Sequence, residues 1–393
     1  QLAALLDALA DPLGEGGFDA AARSAAPERT MVEFSQPNTH KVFHVGHLRN
    51  VVIGDALVRL NRASGRNVVA ANYYGDYGID VAKCLWWLTH RDHGAAPAEG
   101  RGAWLGAAYA STTAEVERLE QADPEGRRAV QAELKAILGR IVAGEEPWAT
   151  LYRDTRRWCL DEFAEVYRWL DVRFDHDFFE SELEEAAQAL VDEYVERGVF
   201  EPSEGAIVCR LDAYDLGPAL VRKSDGTSLY LTWDLVLARR KFDEFGVRRS
   251  LYVVGAEQTY HFRQLFATLE RMGYERARDC RHVAYELVML PDGKMSSRKG
   301  KVIPFHELRT ALRAAIEAKM RSGDPADRAA WGAEQWSETI DRVAAACLRY
   351  GMLRVSNTTR VIFDIDAWTS LDGETGAYLL YSLARVSGIF RRA

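Results

Sequence analysis

Two histidines on either side of a glycine, with a lysine just before them, form the first group of residues that could do chemistry. Residues 38–50, NTHKVFHVGHLRN, contain Lys41, His44, Gly46 and His47. The segment follows a predicted strand and opens a predicted helix, whose N-terminus would offer unpaired N–H groups and partial positive charge to a phosphate. Lys41 and the imidazoles would add donors and charge, and Gly46 would let a flat base approach the backbone. The pattern predicts a phosphate site, and two satisfied histidines near a helix cap are the structural alternative.

A basic segment much later in the chain could act on the same phosphates. Residues 293–301, GKMSSRKGK, hold Lys294, Arg298, one more lysine and two serines between two glycines, and a further lysine follows the second glycine. A cationic loop that hinges on its glycines suits a pyrophosphate leaving group. A solvated surface loop is the usual meaning of such a charge run and stays the alternative.

Carboxylates near predicted strand ends could recognise a cationic substrate. A carboxylate in a partly dehydrated crevice can form charge-assisted hydrogen bonds with a cationic group. Asp234 lies near a predicted helix start, four residues after Tyr230, and Glu33 lies at the end of the first predicted strand. Glu257, two residues after Gly255, could accept the hydroxyl groups of a ribose. Each carboxylate, taken alone, could instead be a helix cap or part of a strand-edge pair.

The elements that must position these residues open with a strand, a loop, a helix and a second strand. Residues 31–34 predict the first strand, apolar residues from Leu48 predict a helix that ends near Gly65, and residues 67–78 predict a strand and turn. This order opens a parallel α/β sheet. Residues 95–200 are charged and helical in period, which predicts a mainly helical insertion.

The sheet pattern resumes after the insertion. Residues 219–231 predict a hairpin with Asp225-Gly226 at its turn, and Thr232 is expected to cap the next helix. Residues 250–255 and 282–290 predict strands. The fold class is therefore α/β: a split Rossmann-like parallel sheet with a mainly helical insertion, followed by the start of an all-α C-terminal domain. The predicted domains are an N-terminal remnant or linker (1–30), the first half of the nucleotide-binding catalytic domain (31–94), the insertion (95–200), the second half with the KMSSR loop (201–305) and the helical tail (306–393).

Composition indicates an ordinary globular chain. Of the 393 residues, 48% are hydrophobic and 27% charged. No apolar run is long enough to span a membrane, and the first residues do not form a signal peptide. Five scattered cysteines without a C-x-x-C pair disfavour a zinc site and a disulfide framework, so a cytoplasmic location is expected. The net charge of -8 argues only mildly against a nucleic-acid partner, because a basic face can lie on an acidic body.

Taken together, the two motifs resemble the H-x-G-H and K-M-S-K-S signatures of class I aminoacyl-tRNA synthetases. The segments VEFSQPNTHKVFHVGHLRN, RKSDGTSLYLTWD and GETGAYLLYSLARVSGIFRRA resemble those of arginyl-tRNA synthetases in particular. The resemblance runs from about residue 31 to the end and is weakest in the insertion. Ser297 replaces the second lysine of K-M-S-K-S, a role for which Lys41 is expected to substitute. Trp233 stands where the family often has arginine, and Gln36 where serine is frequent.

The resemblance implies activation of L-arginine by ATP to arginyl-adenylate, and transfer to the 3′ end of tRNA-Arg, with the tRNA bound before activation. Mg²⁺ would arrive with ATP rather than in a metal site of the protein. The implied catalytic residues are Lys41, His44, His47 and Lys294. The implied ATP-binding residues are Gly46, Gly255, Glu257, His261, Met295, Ser296, Ser297 and Arg298. The implied arginine-binding residues are Glu33, Asn38, Tyr230, Asp234 and Gln258.

Family members carry an N-terminal tRNA-elbow domain and a full anticodon-binding domain, so we expect either a fragment or a shortened paralogue. A monomer without membrane association is expected. Two rival functions stay open. One is a nucleotidyltransferase that acts on a small acid without RNA. The other is a non-catalytic paralogue that binds arginine or a protein partner without charging tRNA.

Overall fold

The chain divides into two compact units built from interleaved segments. The structure, a computed structural model, describes residues 28–289, 302–321 and 331–392. The first unit comprises the described part of residues 1–36 together with Ile53–Tyr74 and Phe174–Tyr285. The second unit comprises Pro37–Val52, Gly75–Arg173 and the described part of residues 286–393.

The described residues form strands and α-helices with the following bounds. The strands are β1 (Thr30–Glu33), β2 (Val68–Tyr74), β3 (His176–Phe179), β4 (Phe200–Ser203), β5 (Ala206–Cys209), β6 (Ala219–Arg222), β7 (Arg249–Gly255), β8 (Cys280–Tyr285), β9 (Val288–Met289) and β10 (Val361–Ile362). The helices are α1 (Val45–Ala63), α2 (Ile79–His90), α3 (Arg101–Ala122), α4 (Pro124–Val142), α5 (Trp148–Trp169), α6 (Glu184–Glu196), α7 (Tyr230–Phe245), α8 (Thr259–Arg271), α9 (Phe305–Arg321), α10 (Ala333–Leu353), α11 (Ile365–Trp368) and α12 (Gly376–Arg392).

A five-stranded parallel sheet is the centre of the first unit. Its strands lie in the order β3-β2-β1-β7-β8, and every neighbouring pair is parallel. All four residues of β1 and all seven of β2 are buried, as expected of parallel strands that are covered on both faces. The strand order reverses between β1 and β7, and open α/β sheets bind ligands at such a reversal, beyond the carboxyl ends of the strands. Glu33 and Gly255 are the last residues of these two strands.

The second unit contains α2, the helices α3 to α5 of the predicted insertion, and the C-terminal helices. Helices α2, α4 and α5 share an apolar core that includes Leu85, Trp86, Leu134, Ile137 and Trp148. Helices α9 and α10 each bury a stripe of apolar residues. The predicted fold class, a parallel sheet with a mainly helical insertion and a helical C-terminal region, is confirmed.

Several local predictions need correction. β3 lies within residues 95–200 and is an edge strand of the parallel sheet, so the segment predicted to be mainly helical also contributes a strand to the sheet. The turn at Asp225-Gly226 forms, but the second arm of the predicted hairpin is reduced to a single bridge between Arg222 and Ser228, because Tyr230 already begins α7. The domain boundaries drawn from the sequence stay a prediction.

Two predicted element ends are also wrong. Thr232 does not cap α7: it lies in the first turn, and its hydroxyl donates to the carbonyl of Val221. The strand predicted over residues 282–290 is broken after Tyr285. The Glu286 N–H donates to the carbonyl of Asn357 at 2.8 Å, and β9 then pairs with β10 in a separate two-stranded sheet.

Candidate active site

The two histidines of the H-x-G-H segment cap the first turn of α1. The His44 N–H donates to His47 Nδ1, and the Gly46 N–H donates to His44 Nδ1, each at 3.1 Å. The ring centroids are 3.9 Å apart. Side-chain acceptors at a helix start satisfy N–H groups that have no partner within the helix. The imidazoles are thus fixed against the helix end that the sequence assigns to phosphate.

Both imidazoles are neutral near neutral pH. Burial lowers the pKa of His44 to about 4. Burial, together with the nearby His44 and Lys41, lowers the pKa of His47 well below its ordinary value. Because Nδ1 of each ring accepts a hydrogen bond, the ring proton belongs on Nε2. Each ring can therefore offer a neutral N–H donor, and the positive charge expected of the histidines must come from other groups.

Lys41 belongs to a cluster of two lysines and one aspartate. Its Nζ lies 2.6 Å from Asp80 Oδ2, and Lys83 Nζ lies 3.7 Å from Asp80 Oδ1. Both ammonium groups lie 5.1 Å from the centroid of the Tyr109 ring. Two cations and one carboxylate leave one net positive charge on side chains that are less than a quarter exposed. Since the charge of Lys41 lowers the pKa of His47, this cluster supplies the positive charge beside that histidine.

The loop that carries Asn38 and Lys41 is anchored by a buried histidine. His40 has a φ of 62°, and its Nε2 lies 2.8 Å from Thr155 Oγ1. Its backbone N–H donates to Cys159 Sγ at 3.2 Å. Burial, helped by the charge of Arg156, lowers the pKa of His40 to about 3. A left-handed backbone at a non-glycine residue persists only where the surroundings enforce it, and here α5 provides those surroundings.

Glu33 is held in a buried ion pair in the first unit. Its carboxylate contacts Lys241 Nζ and accepts a hydrogen bond from Gln36 Nε2 at 2.8 Å. Lys241 is fully buried and lies over the Tyr252 ring, 3.7 Å from the centroid. The charge of Glu33 is therefore already balanced within the protein. Gln36, which departs from the family pattern, has a structural part in this arrangement.

Asp234 pairs with His261 in the same unit. Asp234 Oδ2 lies 2.6 Å from His261 Nε2, and the two side chains are 19% and 25% exposed. The sequence places these residues in different subsites, arginine for Asp234 and ATP for His261. The structure brings them into one hydrogen bond.

Aromatic side chains lie one turn before Asp234 and beside it. Tyr230 is 58% exposed, and its ring meets the Trp233 ring edge-on with centroids 5.5 Å apart. The buried Trp233 donates from Nε1 to Glu184 Oε2 at 2.7 Å. The indole that replaces the family's arginine is therefore fixed in place and supports the ring of Tyr230.

The segment after β7 brings its backbone close to a carboxylate. A Cβ at Gly255 would lie 2.4 Å from Glu257 Oε2, so glycine is required for Glu257 to adopt this position. Glu257 and Gln258 are both exposed, and Gln258 precedes the first turn of α8. Groups that follow the carboxyl end of a parallel strand in this way are available to a ligand.

Arg49 of α1, which the sequence analysis does not single out, anchors the chain ahead of the basic segment. It is fully buried, and its guanidinium donates to the carbonyls of Glu286, Ser356 and Thr359. The predicted residues Lys294, Met295, Ser296, Ser297 and Arg298 lie outside the described residues. Arg49 therefore ties the helix of the H-x-G-H segment to the strand that leads toward residues 293–301.

Two features of the described residues bear on cofactors and membranes. No group of three or more His, Cys, Asp or Glu side chains there could hold a metal ion. Among the described helices, none combines the length and the apolar character needed to cross a bilayer.

Comparison with known sequences identifies relatives along nearly the whole chain. The family model described as tRNA synthetases class I (R), catalytic domain, matches residues 17–365. An arginine–tRNA ligase of Bdellovibrio bacteriovorus is 40% identical over 364 residues, which cover 93% of this chain and 62% of that protein. An arginine–tRNA ligase of Porphyromonas gingivalis is 32% identical over 379 residues, which cover 92% of this chain and 63% of that protein. The chain thus spans just under two thirds of the length of these curated relatives.

Comparison with solved structures agrees. The arginyl-tRNA synthetase of Thermus thermophilus matches with a TM-score of 0.77 at 25% identity, over 95% of this chain and 67% of that one. The arginyl-tRNA synthetase of Plasmodium falciparum matches with a TM-score of 0.72 at 17% identity, over 96% of this chain and 61% of that one, which bears on the fold alone. These similarities confirm the resemblance that the sequence motifs indicate.

Proposed function

The chain belongs to the family of class I tRNA synthetases (R), catalytic domain, and from that premise we propose that it forms arginyl-tRNA from L-arginine, ATP and tRNA-Arg. The observation that carries the proposal is the arrangement at the start of α1. Two neutral imidazoles are fixed there, beside a lysine cluster with one net positive charge. Such a set of donors and charge suits a polyphosphate.

In the proposed first step, a carboxylate oxygen of L-arginine attacks the α-phosphorus of ATP. The bond from that phosphorus to the α–β bridging oxygen breaks, so arginyl-adenylate and pyrophosphate form. No nucleophile from the protein is needed, because positioning and charge stabilisation provide the catalysis. Lys41 would supply charge, and His44 and His47 would donate from Nε2. Lys294 keeps its predicted role on the leaving group.

In the proposed second step, a ribose hydroxyl at the 3′ end of tRNA-Arg attacks the carbonyl carbon of the adenylate. The hydroxyl proton is lost and AMP leaves, which completes the transfer. The family resemblance implies that the tRNA binds before activation. This order predicts that arginine-dependent exchange of pyrophosphate into ATP requires tRNA.

We assign the arginine subsite to the residues that the resemblance implies. Asp234 would bind the guanidinium, and Tyr230, supported by Trp233, would stack on it. Glu33 would lie on the guanidinium side, although Lys241 already balances its charge. Asn38 and Gln258 would bind the α-amino and carboxylate end.

The proposed ATP subsite draws on both motifs. A base or ribose would approach the backbone at glycines 46 and 255, and Glu257 would accept ribose hydroxyls. The predicted roles of His261 and of residues 295–298 also belong to this proposal.

Mg²⁺ would enter on the phosphates of ATP, as the family resemblance implies. A monomer and a cytoplasmic location complete the proposal.

The test is an exchange assay with labelled pyrophosphate on the purified chain. We expect exchange that requires both arginine and tRNA. The variant His47→Ala should suppress this exchange, whereas the control variant Arg342→Ala, at an exposed site, should not. Exchange without arginine would favour a different nucleotidyltransferase. Arginine binding without exchange or charging would favour the non-catalytic paralogue.

A further inference from the structure

The side chains of Asp234 and His261, which lie near the starts of two helices in the first unit, form a hydrogen bond. Asp234 belongs to α7 and His261 to α8, and their side chains meet at 2.6 Å, each about one fifth to one quarter exposed. The described residues offer the other oxygen, Oδ1, no hydrogen bond. The carboxylate that the proposed function assigns to the guanidinium therefore already has a titratable partner.

We propose, building on the proposed arginine-activating function, that His261 is a specificity-determining residue of the arginine subsite: it shares Asp234 with the guanidinium and must be neutral when arginine is bound. Arginine binding to the protonated form would then release one proton from His261 to solvent. This function differs from the ATP contact that the family resemblance implies for His261.

The charges around Asp234 favour release of a proton from His261 when arginine binds. When His261 is protonated, its pair with Asp234 is neutral, and Glu33 is already balanced by Lys241. A guanidinium would then meet no net negative charge. When His261 is neutral, Asp234 retains a charge that matches that of arginine, because two cations beside one carboxylate repel each other.

The neutral tautomer of His261 also leaves the Asp234 carboxylate in a geometry that suits a guanidinium. With its proton on Nε2, His261 still donates to Oδ2 of Asp234 and fixes the orientation of the carboxylate. Oδ1 and the second lone pair of Oδ2 then stay open to the two parallel N–H groups of a guanidinium. A lysine ammonium cannot use both oxygens in this planar way, so a fixed carboxylate favours arginine over lysine.

The titratable groups of this pair and its surroundings come from four elements. Asp234 of α7 and His282 of β8 interact with His261 itself, whereas Tyr252 of β7 interacts with Asp234, and Glu257 of the turn before α8 interacts with His282. Burial opposes protonation of His261, but the hydrogen bond and charge of Asp234 outweigh it and raise the pKa of His261. Burial lowers the pKa of His282, against the raising effect of its bond to a carbonyl and of Glu257. His261 is therefore the histidine of this group that is charged in the free protein when the pH falls below its raised pKa.

The experiment is calorimetric titration of the purified chain with L-arginine, in two buffers with different ionisation enthalpies, from pH 6 to pH 9. The difference in heat between buffers counts the protons released. We expect release that approaches one proton at the acidic end and disappears at the alkaline end. The arginine Kd should rise by up to about tenfold per pH unit on the acidic side.

Two variants separate His261 from its neighbour. His261→Gln should bind arginine without releasing a proton and should discriminate less against lysine, whereas the matched control His282→Gln should keep the release. Arginine binding by the wild-type chain with no proton release at any pH would overturn the inference and leave the proposed function intact. Unchanged proton release on arginine binding by His261→Gln would also overturn the inference and leave the proposed function intact. No arginine binding at any pH would overturn the proposed function itself and this inference with it.

Discussion

The buried pair of Glu33 and Lys241 permits a stability prediction with a defined size. Lys241 is fully buried and Glu33 is 3% exposed, so Lys241→Met removes the balancing cation and keeps a long side chain. Breaking a buried ion pair by removing one partner costs about 3–5 kcal/mol. In a unit of this size each kcal/mol lowers the melting temperature by about 2–4 °C. We therefore expect a decrease on the order of 10 °C in a thermal unfolding scan.

Two further variants test the cause of that decrease. The double variant Glu33→Gln with Lys241→Met leaves neither charge uncompensated, so it should recover much of the lost stability. Arg240→Met is the matched control on the same helix: it breaks a surface pair with Glu244, which contributes about 0–1 kcal/mol. Two results would contradict this explanation. One is a decrease in melting temperature for Lys241→Met that is no larger than that for Arg240→Met. The other is a decrease for the double variant that equals the sum of the decreases for Glu33→Gln and Lys241→Met alone.

Three other perturbations have expected outcomes. His47→Ala should slow pyrophosphate exchange on the order of 100-fold, the cost of one preorganised donor, with little change in arginine affinity; an equal loss of affinity at unchanged turnover would place His47 in substrate binding alone. In calorimetry, Asp234→Asn should weaken arginine binding at least about 30-fold and leave ATP binding unchanged. Tyr230→Phe should weaken arginine binding by a smaller factor. Normal arginine binding by Asp234→Asn would contradict the assignment of Asp234 to the arginine subsite. His40 stays neutral in the folded chain down to about pH 3, whereas the unfolded chain binds its proton near pH 6.5. Its contribution to stability is therefore fully present above that pH and is lost as the pH falls, by about 1.4 kcal/mol per pH unit. Acid unfolding of His40→Gln should be less steep than that of the half-exposed control His306→Gln, and equal slopes would contradict this.

The parts of the fold that follow local rules could be predicted from the sequence. The start of α1 at Val45 is marked by the H-x-G-H segment, and its end before Gly65 by a glycine with a φ of 80°. β7, one of the two strands at the switch point, contains the apolar run Leu251–Val254, which is typical of strands in parallel sheets. The resemblance then supplied the family and the roles of the site residues, which spacing alone leaves open.

Other features depend on contacts between distant residues, which a single sequence does not reveal. Asp80 and Lys83 stand three apart on a helix, a local hint of a pair, but their relation to Lys41 and Tyr109 is visible only in the folded chain. The pairing of Glu33 with Lys241 spans more than 200 positions in the same way. The neutrality of His44 and His47 also could not be predicted, because it comes from burial rather than from residue type.

We propose that this chain joins arginine to tRNA, and the most direct measurement of that activity is the detection of its product. Purified chain, ATP, labelled L-arginine and tRNA-Arg are incubated, and the 3′-terminal nucleoside of the tRNA is released and identified by mass spectrometry. We expect an arginyl ester on the terminal ribose that depends on ATP and is strongly reduced in His47→Ala. Absence of that ester, with the chain folded and the tRNA intact, would contradict it.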